Sequence, residues 1–309
     1  RRQPPARKAP LPDLPSLQVL LGITDEEAML LRLDKQTGMR KTENYWHKML
    51  GPLQPTTAVS YMFSHLRLSR EEIKASVMRY PRLLSHSAAA AGDVMEWLKG
   101  DVGIDVTDAT AIMRDWPSVI GLSIDNNLKP TLEWLRDELS LGTLGRKGAS
   151  DMIYRHPRLL LLSMEGTLEP KLRWVLGLGV GNHKSIDMLR RHPGIFAYSI
   201  EENLEPTLEW LSRNLGGHEK AIRIIQRSPS ILGSNPGENL VPKLEWLSQR
   251  LELPKEDVSH LVEKSPAVLT LSIKGSLLPK VVWISDMLLL DNKGAGRLFL
   301  RYPALLNLR

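Results

Sequence analysis

The chain has 309 residues, of which 42 % are hydrophobic, 25 % are charged and none is cysteine. The lack of cysteine excludes disulfides, a thiol nucleophile and thiolate metal ligands, and no apolar run approaches the roughly 18 residues that a membrane span needs. The net charge of +6 favours an anionic partner, but residues 1–15 alone contribute half of it, so a nucleic-acid-binding body needs its charges segregated onto one face.

The first 67 residues differ in pattern from the rest of the chain. Residues 1–15 are proline-rich and basic, which is typical of an extended arm. The first residue is arginine, and we therefore expect a processed form from which a targeting peptide is missing. Residues 16–67 contain helical patterns and Trp46 and are predicted to form a divergent N-terminal helical cap.

Seven prolines then recur in the same local sequence, with gaps of 36, 40, 36, 36, 37 and 37 residues. We call them the anchor prolines: Pro81, Pro117, Pro157, Pro193, Pro229, Pro266 and Pro303. Thirteen residues after five of them comes a second proline: Pro130, Pro170, Pro206, Pro242 and Pro279. Four residues later comes a tryptophan: Trp134, Trp174, Trp210, Trp246 and Trp283. A fixed period of this length predicts a solenoid in which each repeat buries its apolar face against its neighbours.

One repeat, around Pro193, predicts the local structure of all of them. Proline disfavours helical backbone at the residue before it, so a short helix should end near Arg191. Six residues after each anchor proline lies a preferred N-cap type, and Ser199 with Glu202 fits a capping box. These N-cap candidates are Ser87, Ser123, Ser163, Ser199, Asn235 and Ser272. The second proline is costly inside a helix but not at its first position, so a longer helix should begin there.

The repeats at the start of the array depart from this pattern. The Pro81 repeat has Val94 where the second proline should be, and its Trp97 comes one residue early. The Pro117 repeat has four extra residues, which we place in the glycine-rich connector 140–150. We therefore predict an all-α, right- or left-handed solenoid of about seven repeats over residues 68–309, with a curved, concave face.

Three segments carry a resemblance to a known family: LLLLSMEGTLEPKLRWVL, IFAYSIEENLEPTLEWL and ILGSNPGENLVPKLEWL, each preceded by a basic residue, any residue and proline. They resemble the repeats of the mitochondrial transcription termination factor (mTERF) family, over about residues 68–309. The resemblance implies an organellar, non-enzymatic helical solenoid, mitochondrial or alternatively chloroplast, whose basic concave face binds nucleic acid. Such proteins act in organellar transcription, in RNA processing or in ribosome assembly.

Two sets of cations are candidates for nucleic-acid contact. The first, two residues before the anchor prolines, comprises Arg79, Arg155, Arg191, Arg227, Lys264 and Arg301, with Asp115 as the exception. A repeat places them in a row that suits a phosphate backbone, but a cation in the last helical turn also caps the free carbonyls there. The second set lies beside the second prolines and comprises Lys129, Lys171, Lys243 and Lys280. A lysine in the first turn opposes the helix dipole, and capping does not explain it, so these lysines are the sharper candidates.

Other residues favour packing over chemistry. The tryptophans recur beside leucine at helical spacing and are interpreted as core, although aromatic residues also stack on single-stranded bases. His156 and His192 precede their anchor prolines in a slot that also holds tyrosine, tryptophan and serine, which indicates a packing position. No histidine spacing suits a metal, the glycines of residues 177–181 lack the strand and lysine of a phosphate-binding loop, and no pair of carboxylates suggests acid–base catalysis. We therefore expect no enzyme, cofactor, metal or small-molecule substrate.

Three functions remain. The leading hypothesis is an organellar protein that binds double-stranded DNA with little sequence preference and regulates transcription, for example by terminating it. The alternative is an RNA-binding component or assembly factor of an organellar ribosome, with the basic arm in ribosomal RNA. The third is a scaffold that binds another protein, which the low net charge of the body favours.

Overall fold

The structure is a computed structural model that describes residues 17–24, 55–141 and 146–308. Regular structure in these residues is helical, apart from an isolated bridge between Thr57 and Ser87. The α-helices are α1 (Leu17–Leu20), α2 (Ala58–Ser64), α3 (Arg70–Arg79), α4 (Ala88–Trp97), α5 (Val106–Asp115), α6 (Lys129–Glu138), α7 (Arg146–Arg155), α8 (Glu169–Leu176), α9 (Asn182–Arg191), α10 (Glu205–Asn214), α11 (His218–Arg227), α12 (Val241–Leu251), α13 (Lys255–Lys264), α14 (Leu278–Leu288) and α15 (Asn292–Arg301). The predicted all-α class is confirmed. None of the helices in these ranges is long and apolar enough to cross a membrane.

The odd-numbered helices from α3 to α15 each end two residues before an anchor proline, and a 3-10 helix begins at that proline. At the intervening residue the backbone leaves the helical region, as at His192 with φ −134° and ψ 68°. The 3-10 helices are Pro81–Ser85, Pro117–Gly121, Pro157–Leu161, Pro193–Ala197, Pro229–Gly233, Pro266–Thr270 and Pro303–Asn307. The predicted helix end at Arg191 is confirmed, because the ring of the anchor proline excludes helical backbone at the residue before it.

All six predicted N-cap residues accept a hydrogen bond from the backbone N–H three residues later. The predicted capping box at Ser199 is half right. Ser199 Oγ accepts from the N–H of Glu202, but the return bond to the N–H of Ser199 comes from Oδ1 of Asn203. Glu202 is exposed, and the asparagine one residue later reaches the backbone instead.

The second proline of each repeat lies in a continuous helical stretch instead of at its start. Five residues of π-helix follow the N-cap, and the α-helix begins one residue before the proline, which is one residue earlier than predicted. In the Pro193 repeat the N–H of Glu205 donates to the carbonyl of Ile200, five residues back, and Pro206 comes next. The hydrogen-bond pattern therefore changes from π to α at the second proline. Because proline has no N–H, no backbone hydrogen bond is lost at this change. The π segments before these prolines are Ile124–Leu128, Met164–Leu168, Ile200–Leu204, Pro236–Leu240 and Ile273–Leu277.

The Pro81 repeat supports this explanation. It has Val94 in place of the second proline, and its helix α4 begins directly after the N-cap Ser87 with no π segment between them. A π segment occurs in this repeat only after α4, at Leu98–Val102. In the described repeats, a π segment thus precedes the longer helix where the second proline is present.

Each repeat adds one helix to each of several layers. The chain divides into two compact units, Arg1–Leu161 and Leu162–Arg309. In the first unit α3 contacts α5 and α5 contacts α7, and in the second unit α11 contacts α13, which contacts α15. Consecutive 3-10 helices also contact one another within each unit. The last residue of each π segment before a second proline is a fully buried leucine and forms the core between the layers: Leu128, Leu168, Leu204, Leu240 and Leu277.

The predicted boundaries at residues 15 and 67 stay predictions. The arm of residues 1–15 and Trp46 lie outside the described residues, as do residues 142–145 of the glycine-rich connector. The predicted repeat pattern itself is present from α3 to the last 3-10 helix.

Candidate nucleic-acid interface

The six cations that precede the anchor prolines are the last residues of their helices, and all six are exposed. Arg155 donates to the carbonyl of Asp151 in its own helix, as the dipole argument suggests. Three others reach the helix of the next repeat: Arg79, Arg191 and Arg227. Arg191 in addition pairs with Asp187 of its own helix at 2.9 Å.

These three arginines bond the C-terminal carbonyls of the neighbouring odd-numbered helix. Nη1 of Arg79 donates to the carbonyl of Asp115 at 2.8 Å, and Nη2 of Arg191 donates to that of Gln226 at 3.2 Å. Nη1 of Arg227 donates to the carbonyl of Glu263 at 2.9 Å. Each arginine places its charge at the negative end of the next helix and joins two repeats. Guanidinium has five N–H donors, so donors remain for a further anion.

The rest of this row is more varied. Arg155 pairs with Asp151 in its own helix, and the guanidinium of Arg301 lies 5.6 Å from the ring centroid of Tyr302. At the exceptional Asp115 repeat, the side-chain hydrogen bond from Arg114 lowers the pKa of Asp115. Arg114 also pairs with Glu72 at 3.2 Å, so this repeat presents a neutralised cluster in place of an extra positive charge.

The lysines after the second prolines join repeats through a different contact. Nζ of Lys171, Lys243 and Lys280 donates to carbonyls in the next 3-10 helix, at 2.8, 2.5 and 3.1 Å. Burial lowers the pKa of Lys243. Lys129 precedes its proline and instead pairs with Asp125 at 2.7 Å. The helix dipole does not explain a lysine at the start of these helices. The hydrogen bond to the next repeat does explain it for Lys171, Lys243 and Lys280. Their binding of nucleic acid stays a prediction.

Charge is divided between the two helix sets. The odd-numbered helices α3–α15 contain 18 lysines and arginines against 10 aspartates and glutamates. The even-numbered helices α4–α14, with the π segments beside them, contain 10 against 16. Because consecutive odd-numbered helices contact one another within a unit, their excess positive charge accumulates on one layer. The small net charge of the chain conceals this separation.

Comparison with known protein families agrees with the repeat structure. The sequence model of the mTERF family matches residues 140–309, which is more than half of the chain. The chain belongs to the mTERF family. This is a family of organellar helical-repeat proteins that bind nucleic acid and are in general not enzymes. No curated protein sequence matches the chain.

The mTERF repeats before residue 140 lie outside that match but have the same order of elements. Helix α5, the 3-10 helix Pro117–Gly121, the π segment Ile124–Leu128 and α6 follow one another as they do in later repeats. Before residue 140 the resemblance is therefore supported by structure from α5 onwards.

The tryptophans of the mTERF repeats are less buried than predicted. Trp134, Trp174, Trp210 and Trp246 are half-buried, and Trp283 is 60 % exposed, so the interpretation as core is wrong for Trp283. Each half-buried ring lies at the edge of the layer of even-numbered helices. Among the described residues, no later even-numbered helix covers α14, which leaves Trp283 exposed.

The histidine slot agrees with packing. His156 and His192 are half-buried at the turn before the anchor proline, and burial lowers the pKa of His156. Within the described ranges no three His, Asp or Glu side chains are grouped to hold a metal ion.

Sequence reasoning missed one structural slot and one group of acids. The slot directly after the second proline holds lysine or threonine, and buried Thr207 donates to the carbonyl of Ser234 at 3.0 Å. The sequence does contain a signal for this contact, because the slot holds only lysine or threonine and both are hydrogen-bond donors. The missed acids are glutamates of the even-numbered helices that lie beside tryptophans, which only the packing of adjacent repeats reveals.

Proposed function

We propose that the protein binds double-stranded DNA in an organelle through the exposed basic ends of its odd-numbered helices, and so regulates transcription, for example by terminating it. The observation that carries this proposal is the separation of charge between the two helix sets. Residues of the proposed contact are Arg79, Arg155, Arg191, Arg227, Lys264 and Arg301.

The arrangement of these residues suits a phosphate backbone. Helices in contact are about 8–10 Å apart, so each unit presents cations at regular intervals along its odd-numbered layer. Arg79, Arg191 and Arg227 are held by a carbonyl of the next helix, which reduces the conformational entropy that a phosphate contact costs. Contacts of this kind position a protein on nucleic acid without reading its sequence. We therefore expect binding with little sequence preference.

The lysines beside the second prolines are less suited to this contact. Asp125, Glu165 and Glu238 are exposed in the π segments immediately before Lys129, Lys171 and Lys243, and these carboxylates repel phosphate. Lys171, Lys243 and Lys280 are also half-buried against carbonyls of the next repeat, and Lys129 is paired with Asp125, so we leave these four lysines out of the proposed interface.

The test is a titration of duplex DNA over a series of salt concentrations. The variant is Arg191→Gln with Arg227→Gln, because glutamine removes the charge but remains polar and keeps N–H donors. Each lost phosphate contact changes the slope of log K against log salt by about 0.9, so we expect the double variant to lower that slope by about 1.8. Arg173→Gln with Arg213→Gln removes the same charge from exposed positions of the even-numbered helices and serves as the control.

Equal slopes for the two double variants would exclude the odd-numbered layer as the interface. The same titration with structured RNA separates the functions. Tighter binding of RNA than of duplex DNA at matched salt favours the ribosomal role over the transcriptional one. A protein that binds neither is better explained as a scaffold.

A further inference from the structure

Two grooves lie between consecutive even-numbered helices of the second unit, and each pairs a tryptophan with carboxylates. The first, of about 390 Å³, lies between α8 and α10 and is lined by Trp174, Leu178, Leu208, Glu205 and Glu209. His218 lies at its edge.

The second groove, of about 310 Å³, lies one helix further along, between α10 and α12. It is lined by Trp210, Leu244 and Val258, with Glu245 in the position that Glu209 takes in the first groove. Lys255 also lines it, so this groove is less acidic than the first. Helix α10 contributes to both grooves, which are therefore adjacent.

The charges of the grooves call for a cation. Glu205 and Glu245 are exposed and their carboxylates have no hydrogen bond or ion pair with any described residue, whereas the carboxylate of Glu209 pairs with Arg213 at 2.7 Å. A guanidinium or ammonium group stacks favourably on tryptophan and forms charge-assisted hydrogen bonds with carboxylates. Exposed Glu201, Glu202 and Glu238 in the adjoining π segments add negative charge around the grooves.

The next pair of helices shows that this combination is not a general consequence of the repeat. Trp246 occupies the same slot in α12, but the two positions of α14 that correspond to Glu205 and Glu209 are Leu278 and Val282. A pair of helices without carboxylates at these positions is thus compatible with the fold, although Glu133 of α6 and Glu169 of α8 also occupy them.

We propose that these two grooves bind a basic, extended segment of a partner protein, with one arginine or lysine in each groove. Helix α10 contributes to both grooves, so one extended segment that crosses it can place a cation in each groove, and the distance between the grooves fixes the separation of the two cations along the segment. This site is separate from the proposed nucleic-acid interface, because it lies on the acidic even-numbered helices and excludes phosphate by its charge.

The test uses the full chain and a panel of labelled 12-residue peptides that carry two arginines separated by one to six positions, with binding followed by fluorescence anisotropy. We expect one separation to bind markedly more tightly than the others. Replacing both arginines by glutamine should abolish it. Glu205→Gln with Glu245→Gln, and separately Trp174→Leu with Trp210→Leu, should each weaken the best peptide by about tenfold or more.

Glu71→Gln with Glu138→Gln makes the same charge change at exposed positions of the first unit that line neither groove, and should leave peptide binding unchanged. Equal weakening by this control, or binding that is independent of the separation, overturns the proposal in favour of non-specific attraction. Absence of binding by every peptide overturns it as well.

The basic residues 1–15 of the chain are the other possible occupant. A variant with Arg1, Arg2, Arg7 and Lys8 all replaced by glutamine should bind the best peptide with unchanged affinity. A gain of about tenfold would assign the grooves to the chain's own arm and contradict the partner. Duplex DNA titrated into the glutamate and tryptophan variants of the grooves should bind normally, so failure of this proposal is distinct from failure of the DNA-binding proposal.

Discussion

The residue after the second proline shows how one contact determines the choice of amino acid. Lys171, Lys243 and Lys280 reach the third residue after the next anchor proline, while the shorter Thr207 bonds the carbonyl of Ser234, which is closer to it. Both types satisfy a carbonyl of the neighbouring repeat. A positive charge is therefore not what the slot requires, and a hydrogen-bond donor is.

We predict that Lys243→Met lowers the free energy of unfolding by on the order of 1 kcal/mol, because the carbonyl of Leu269 loses its partner while the apolar stem is retained. Urea unfolding measures this change. Lys274→Met, at an exposed position of a π segment, removes the same charge and should change stability by less than about 0.5 kcal/mol. Duplex DNA should bind the folded Lys243→Met protein as it binds the wild type. Loss of DNA binding without loss of stability would return this lysine to the interface.

How far the sequence predicts the site depends on whether the group that a residue contacts is close to that residue in sequence. The ends of the odd-numbered helices follow from the anchor proline, which acts on the residue before it, and Arg191 lies where the pattern placed it. The carbonyl that Arg191 bonds belongs to Gln226, 35 residues later, and the pattern of one repeat does not contain that contact. For the same reason the sequence of one repeat does not show that Glu205 lines a groove with Trp174, or that Glu245 lines one with Trp210.

At the scale of elements, the repeat is shaped by two prolines, neither of which has a backbone N–H to donate. The anchor proline ends one helix, and the second proline continues another by way of a π turn. The sequence correctly indicated that a proline in five repeats cannot interrupt an α-helix, but it favoured the familiar solution at the helix start. A π turn has no distinct residue signature, so only the structure reveals it.

Close contact between elements gives a second prediction. A Cβ at Gly296 in α15 would collide with the carbonyl oxygen of Leu251, the last residue of α12. Alanine is the better helix former by up to about 1 kcal/mol, yet this clash is with backbone and forces the helices apart. We expect Gly296→Ala to lower the free energy of unfolding by about 1–3 kcal/mol in thermal or urea unfolding.

Gly92→Ala in α4 is the matched control. The nearest atom to its added Cβ is 3.5 Å away, an ordinary contact with the ring of Tyr61, so helix propensity decides the outcome. We expect this variant to be more stable by up to about 1 kcal/mol. Stabilisation by both substitutions would show that α15 and α12 have room to separate.

At the scale of the whole molecule, the distribution of charge matters more than the net charge. A chain of net charge +6, half of it in residues 1–15, gives little reason to expect a nucleic-acid-binding body. Alternation of helices between two layers sorts the remaining charges, because odd-numbered helices contact odd-numbered helices. The same sorting gives the even-numbered layer of the second unit the acidic grooves. One repeat can thus provide two chemically opposite surfaces.

Contacts that are short in range along the array also determine how a local defect spreads. Within the second unit α15 contacts α12, α13 and α14, and arginine bonds join α9 to α11 and α11 to α13. Repeats coupled in this way unfold locally, and each repeat is stabilised by its own contacts and those of its neighbours. We therefore predict that Gly296→Ala increases amide hydrogen exchange about tenfold or more in α14 and α15 and leaves α9 and α10 unchanged. Mass spectrometry of peptides from each helix measures this directly. A similar increase in α9 would mean that the second unit unfolds as a single cooperative block, in which case the contacts between neighbouring repeats are not the terms that limit its stability.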